Sequence, residues 1–311
     1  MSESKIRFYF REPTVDTNRP LNDGTIKIDG FDFEVVKTLE EADAWDCGFG
    51  ARMLAAAEHS DDVSIPAFPN RKFRLSYIYV NDKAGIRTPR DLEGKRVAIP
   101  MWANTAGVWA RGALQHHYGV DLGKIHWVAR SQEGMAAPRG MRIETMKRGN
   151  VDEMLLSGEI DAAIDPNVLP SITRRDPRVR RLFADYKSEE QKYYRETGIF
   201  PISHVVTLRR RFVDRHPDSP VALLKAFRQA RDMAIDNIQG ADPQVLVLSW
   251  VSALLDEQRA LMGDDYFAYN VVDNKRPLDA MMQFSHEQGL TPERVDFKTL
   301  FSPEAAGLAG V

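Results

Sequence analysis

Eight side chains in this 311-residue chain are suited by type and setting to act on a small organic acid: Arg71, Arg74, Trp102, Asn104, Thr105, Asp161, Asp165 and His204. Arg71 and Arg74 follow Pro69 closely, and a guanidinium grips a carboxylate through paired, charge-assisted hydrogen bonds. On one regular strand, residues three apart face opposite sides, so both arginines reach one site only if the strand begins at Phe73. Asn104 and Thr105 stand where a loop passes into a helix, and the unpaired N–H groups of a first helical turn face an incoming anion. Capping the helix is their plainer task, and it is compatible with the first. Trp102 either stacks on an aromatic ring or packs at a junction of the fold. His204 is the proton donor of choice, because it follows the stiff approach Gly198-Ile199-Phe200-Pro201 and imidazole changes protonation near neutral pH. Asp161 and Asp165, at the two ends of one expected strand, are candidates for orienting an arginine or a histidine.

Other chemical engines are missing. The chain has no Gly-rich phosphate loop, no Gly-x-Ser-x-Gly elbow, no His-x-x-x-His pair and no cysteine cluster, so no cofactor or metal is expected, although scattered carboxylates could still assemble a metal site in the fold. Its 42 basic and 45 acidic residues give a formal charge of −3, and no basic stretch carries interleaved aromatics, which argues against a nucleic-acid partner. No segment is long and apolar enough to span a bilayer, and Met1 to Phe10 lacks the apolar run of an export signal. The expected location is therefore the cytoplasm, away from membranes. Cys47 is the single cysteine, which excludes an intrachain disulfide. Homo-oligomerisation is left open.

The elements that must position these residues read as α/β. Short apolar runs at Ile6 to Phe10, Arg96 to Ile99, Ile125 to Val128, Ile160 to Ile164, Val179 to Phe183 and His204 to Leu208 predict strands. Alternation from Phe73 to Val80 predicts another beside the site. A helix is expected to begin near Asp43, with Met53, Leu54 and Ala57 on its apolar side. From Ala106 the positions 106, 109, 110, 113, 114 and 117 follow helical spacing, with Gly119 as the stop. Strand, helix, strand in succession implies a parallel unit. Gln132 to Gly140 reads as a polar loop, and Asn150 as the cap of a short helix. The last third is helical, with core stripes at Leu223, Ala226, Phe227, Ala230 and Ala234 and at Val247, Trp250, Val251 and Leu254.

Several of these segments carry a resemblance. Asp91-Leu92-Glu93-Gly94-Lys95-Arg96-Val97 and Gly158-Glu159-Ile160-Asp161-Ala162 look like the type II periplasmic-binding-protein fold, in which two α/β lobes enclose a ligand cleft. Phe68-Pro69-Asn70-Arg71-Lys72-Phe73-Arg74, Thr105-Ala106-Gly107-Val108-Trp109 and Thr197 to His204 resemble, more narrowly, the 4,5-dihydroxyphthalate decarboxylase family. The resemblance implies two chain crossings, placed near Pro100 and near His204. The expected lobes are then 1–99 plus 205–311, and 100–204. It also implies nonoxidative decarboxylation of a hydroxylated aromatic acid, with His204 as acid and Arg71, Arg74, Trp102, Asn104, Thr105 and Asp165 around a small aromatic carboxylate. The loop usually reads Pro-Glu-Tyr-Gln-x-Thr-Ala in that family, so Met101 and Ala103 stand here in place of two polar side chains. A protein of the same fold that binds an acid without changing it is the alternative.

Overall fold

The computed structural model describes residues 4–131, 137–146, 149–240 and 248–307. Four strands open the chain: β1 (Ser4–Tyr9), β2 (Phe31–Val35), β3 (Ala44–Gly48) and β4 (Val63–Ile65). Six follow in a second layer: β5 (Ile78–Asn81), β6 (Arg96–Ile99), β7 (His126–Ala129), β8 (Arg142–Thr145), β9 (Ala162–Ile164) and β10 (Val179–Arg181). The chain then returns through β11 (His204–Leu208). The result is two mixed sheets, ordered β2-β1-β3-β11-β4 and β10-β5-β9-β6-β7-β8, each flanked by helices. Parallel pairing joins β2-β1-β3 in the first sheet and β9-β6-β7-β8 in the second, and the antiparallel pairs are those of β11 in the first and of β5 in the second.

This is the two-lobed α/β architecture, with one of its expected boundaries moved. A first crossing at Pro100 would leave β5 and β6 in the first lobe. Both are instead hydrogen bonded to β9 in the second sheet, so the chain passes between sheets over residues 66–77. The alternation from Phe73 to Val80 misled for the same reason. Leu75–Tyr77 is a turn of 3₁₀ helix, and only Ile78–Asn81 is strand. Likewise the segment after Asp43 forms strand β3 before the helix Phe49–Ala57 begins.

The two inter-lobe segments are zipped together. Arg71 and Ile202 form an antiparallel bridge, Lys72 N–H donates to Pro201 O at 3.2 Å, and Asn70 O accepts from the N–H groups of Ser203 (2.8 Å) and His204 (3.1 Å). On such a strand pair, side chains at 70 and 72 point one way and that at 71 the other.

Helix Thr105–His116 is packed across the junction. Asn104 caps it by accepting from Gly107 N–H at 3.2 Å, and ten of its residues, Thr105 through Leu114, are buried. Trp109 donates its indole N–H to Ile202 O at 2.7 Å, tying this helix to the second crossing. Gly112 leaves room for the Phe284 ring, which any Cβ there would strike. Gly50 lets the helix Phe49–Ala57 approach the carbonyl of Ala103 just as closely.

The long helix Ser219–Gln239 buries its stripe from Leu223 to Ala234 as expected. The second stripe is different: Trp250 is 76% exposed and Leu254 44%, so neither is core, and Val247 lies outside the described residues. The polar loop Gln132 to Gly140 is described only from Ala137 on. Among the described residues no helix is long and apolar enough to cross a membrane.

Candidate active site

A cavity of about 500 Å³ lies between the two sheets, and both lobes line it. The first lobe contributes Arg11 and Glu12 from the loop after β1, and Gly48 and Ala51 from the end of β3 and the helix behind it. The second contributes Met101, Ala103, Asn104, Thr105 and Ala106 and, after β9, Pro166 and Asn167. Asn70, Lys72, Arg74, Ser203 and His204 come from the zipped crossings.

His204 is 7% exposed, and its Nδ1 lies 3.1 Å from Oδ2 of Asp46, a carboxylate that is itself buried. Sheet register makes this pair. Asp46 is directly opposite Val206 in the β3–β11 ladder, and His204 is two residues along, so both side chains emerge on the same face as diagonal neighbours. The other Asp46 oxygen accepts the backbone N–H of Arg11. An acceptor-only partner places the proton of neutral imidazole on Nδ1 and turns Nε2 toward the cavity. Oε1 of Glu12 stands 3.9 Å from that Nε2, while Oε2 of Glu12 accepts from Asn70 Nδ2 at 2.5 Å.

Arg74 is the buried cation of the cavity. It is 7% exposed, donates from Nη2 to Ser203 Oγ at 2.5 Å, and has no partner for its Nε among the described residues. Burial pulls its pKa down to about 10, which still leaves it charged at neutral pH. An unfilled donor on a desolvated guanidinium is what a carboxylate satisfies best. Lys72 and Arg11 add two further positive charges to the lining. Thr105 Oγ1 accepts from Gly50 N–H at 3.0 Å, bridging the lobes at the helix start, with Asn104 beside it. Cys47, next to Asp46, is no nucleophile, since burial pushes its thiol up to about 11.

Thus His204, Arg74, Asn104 and Thr105 share one cavity, and the four other expected residues are elsewhere. Arg71 lies on the far face of the zipper. Its Nη2 donates to Phe200 O at 2.8 Å, and its guanidinium sits 4.5 Å from the Phe200 ring. Trp102 turns into the core, where it donates to Gln288 O at 2.7 Å beneath the guanidinium of Arg111; its neighbours Met101 and Ala103 line the cavity instead. Asp165 is held by Arg130 at 2.9 Å and by Asn167 N–H at 3.0 Å, so it shapes the loop that presents Pro166 and Asn167. Asp161 accepts from Arg96 N–H at 2.8 Å and likewise serves the sheet.

Sequence reasoning missed Asp46, Glu12, Lys72 and Arg11. Only Asp46 left a trace, as a charge inside an otherwise buried run, Ala44-Trp45-Asp46.

Comparison with known proteins bears on what this cavity serves. No family model matches the chain. It is 30% identical over 322 aligned positions to the 4,5-dihydroxyphthalate decarboxylase of Comamonas testosteroni, covering 96% of this chain and 97% of that one. The chain belongs to the 4,5-dihydroxyphthalate decarboxylase family. A second family member, from Pseudomonas putida, is 31% identical over 198 positions, 57% of this chain and 77% of that one. Among solved structures, the periplasmic aliphatic sulphonate binding protein of Escherichia coli has the same fold, with a TM-score of 0.55 at 14% identity over 98% of this chain and all of that one. The family's fold is therefore the two-lobed periplasmic-binding-protein architecture, and the cavity occupies its cleft.

Proposed function

We propose that this protein is an aromatic-acid decarboxylase, removing CO2 without oxidation from 4,5-dihydroxyphthalate or a close analogue. Family membership supports the reaction class. The observation that carries the reading is the Asp46–His204 pair, its Nε2 turned into a cavity that the buried guanidinium of Arg74 also lines.

A hydroxyl para to the departing carboxylate pushes electron density onto the carbon that bears it. His204, as imidazolium, delivers its Nε2 proton to that carbon. The carbon–carbon bond then breaks, its electron pair restores the aromatic ring, and CO2 departs. One proton is consumed per turnover and is replaced on His204 from solvent. Asp46 holds the ring in place and stabilises the imidazolium, and a general acid so placed contributes roughly 10²- to 10⁴-fold.

Arg74 and Lys72, with the N–H groups at the start of helix Thr105–His116, hold a second carboxylate. Glu12 is the one acid among the described lining residues, and it repels carboxylates, so its partner is the hydroxyl. Met101, Ala103 and Ala106 form an apolar wall where a departing carboxylate finds little to hold it.

Purified protein incubated with hydroxybenzoic and hydroxyphthalic acids should release CO2 and the matching phenol, fastest where a hydroxyl stands para to a carboxylate. Binding without turnover is the second reading, favoured by the likeness of the fold to a sulphonate binding protein. Tight binding with no CO2 from any acid in the panel would establish it in place of the first.

A further inference from the structure

Arg71 is buried on the rear face of the crossings with work left undone. It is 9% exposed, one Nη donates to Phe200 O, and its Nε has no partner among the described residues. Beside it is a cavity of about 320 Å³ between the helices Ser219–Gln239 and Val251–Met262. Ile235, Ile238, Val251, Leu254, Leu255 and Phe267 make its walls apolar. Among the described lining residues the other charges are engaged: Arg231 pairs with Asp232 (2.6 Å) and Asp265 (3.2 Å), and Asp16 accepts from Thr17 N–H at 2.9 Å.

An apolar pocket of this size lined by one buried guanidinium is the usual form of a small-molecule site. A neutral ligand would leave the buried charge uncompensated, and a dianion would set its second charge against Asp16 or the aliphatic walls. We infer that this cavity is a second binding site, distinct from the cleft, for a monocarboxylate with an aromatic or aliphatic body, its carboxylate on Arg71. The separation from the cleft follows from strand alternation: Asn70 and Lys72 line the cleft, and Arg71 between them lines the rear cavity.

The test is calorimetric titration of the full chain with 2-naphthoate and with its uncharged analogue 2-naphthamide. The wild type should bind one more equivalent of 2-naphthoate than the Arg71→Leu variant. Ile238→Trp, which fills the cavity from its rim and leaves Arg71 intact, should lose the same equivalent. At that site 2-naphthamide should bind at least about tenfold more weakly. Should Arg71→Leu not fold, Ile238→Trp and the acid–amide comparison decide alone. The inference is overturned if 2-naphthoate does not bind at millimolar concentration, if Ile238→Trp leaves the stoichiometry unchanged, or if acid and amide bind equally at the site that Ile238→Trp removes.

Discussion

Arg74 and Arg71 are three residues apart, buried to the same degree and each short of one hydrogen-bond partner, yet they face opposite sides of the molecule. Arg74 looks into a polar cleft beside Ser203, Glu12 and the Asp46–His204 pair. Arg71 is stacked between Phe200 and Phe267 and opens onto aliphatic walls. The guanidinium is the same group in both places, and its company decides its use. In the cleft it is one part of a charged constellation able to hold an acid against a proton donor, whereas at the rear it offers a charge with nothing nearby to react.

The largest effect separating the two faces should come from His204. His204→Ala and His204→Gln should each lower turnover by about two to four orders of magnitude while leaving acid binding nearly intact, as steady-state kinetics and calorimetry would read. Full turnover in both would remove the acid from the front face and make His204 a strut of the crossing.

Next is the contrast between the arginines themselves. Arg74→Leu should weaken binding of the cleft acid by about 2 to 5 kcal/mol, with Arg74→Lys recovering little because an ammonium lacks the planar fork. Arg71→Leu should leave that affinity within a few-fold of wild type. Equal losses from both would erase the distinction between front and rear.

Asp46→Asn should cost more than about tenfold in turnover, since the amide no longer stabilises an imidazolium, and should move the pH profile of kcat toward lower pH. An unchanged profile would show that Asp46 merely fills its place in the sheet.

The smallest effect is on pH. Burial lowers Arg71 to about 9, with Tyr269, Tyr194 and Asp265 opposing the shift, and Arg74 to about 10, with Tyr77, Glu12, Glu190 and Tyr79 opposing it. Each guanidinium is charged below its pKa, so carboxylate affinity is lost as pH rises through that value. Carboxylate binding at both sites should therefore weaken as pH rises above about 9 to 10, as calorimetric titration would read. Affinity unchanged at either site up to about pH 11 would show that its guanidinium keeps its charge despite burial.

The residues themselves determined the local elements that have local causes. Helix Thr105–His116, its Asn104 cap, the strands at 96–99 and 204–208, and the motifs that carry the family resemblance were all legible, because capping, periodicity and turn chemistry act within a few residues. The odd spacing of Arg71 and Arg74 even warned that one regular strand could not aim both at one site.

Tertiary structure alone decided the rest. Whether β5 belonged to the first or the second sheet turned on its pairing with Ile164 and its neighbours, more than 80 residues away. The Asp46–His204 pair exists because β3 and β11, 158 residues apart in the chain, meet antiparallel in one register; a shift by one residue would send the two side chains to opposite faces. Trp102 gave no sign that Gln288 O would draw it into the core, nor Trp250 that its helix would leave it in solvent. Side-chain type tells what chemistry a residue is able to do, but burial and the partner across the sheet, which are long-range properties of the packed chain, settle whether it does it.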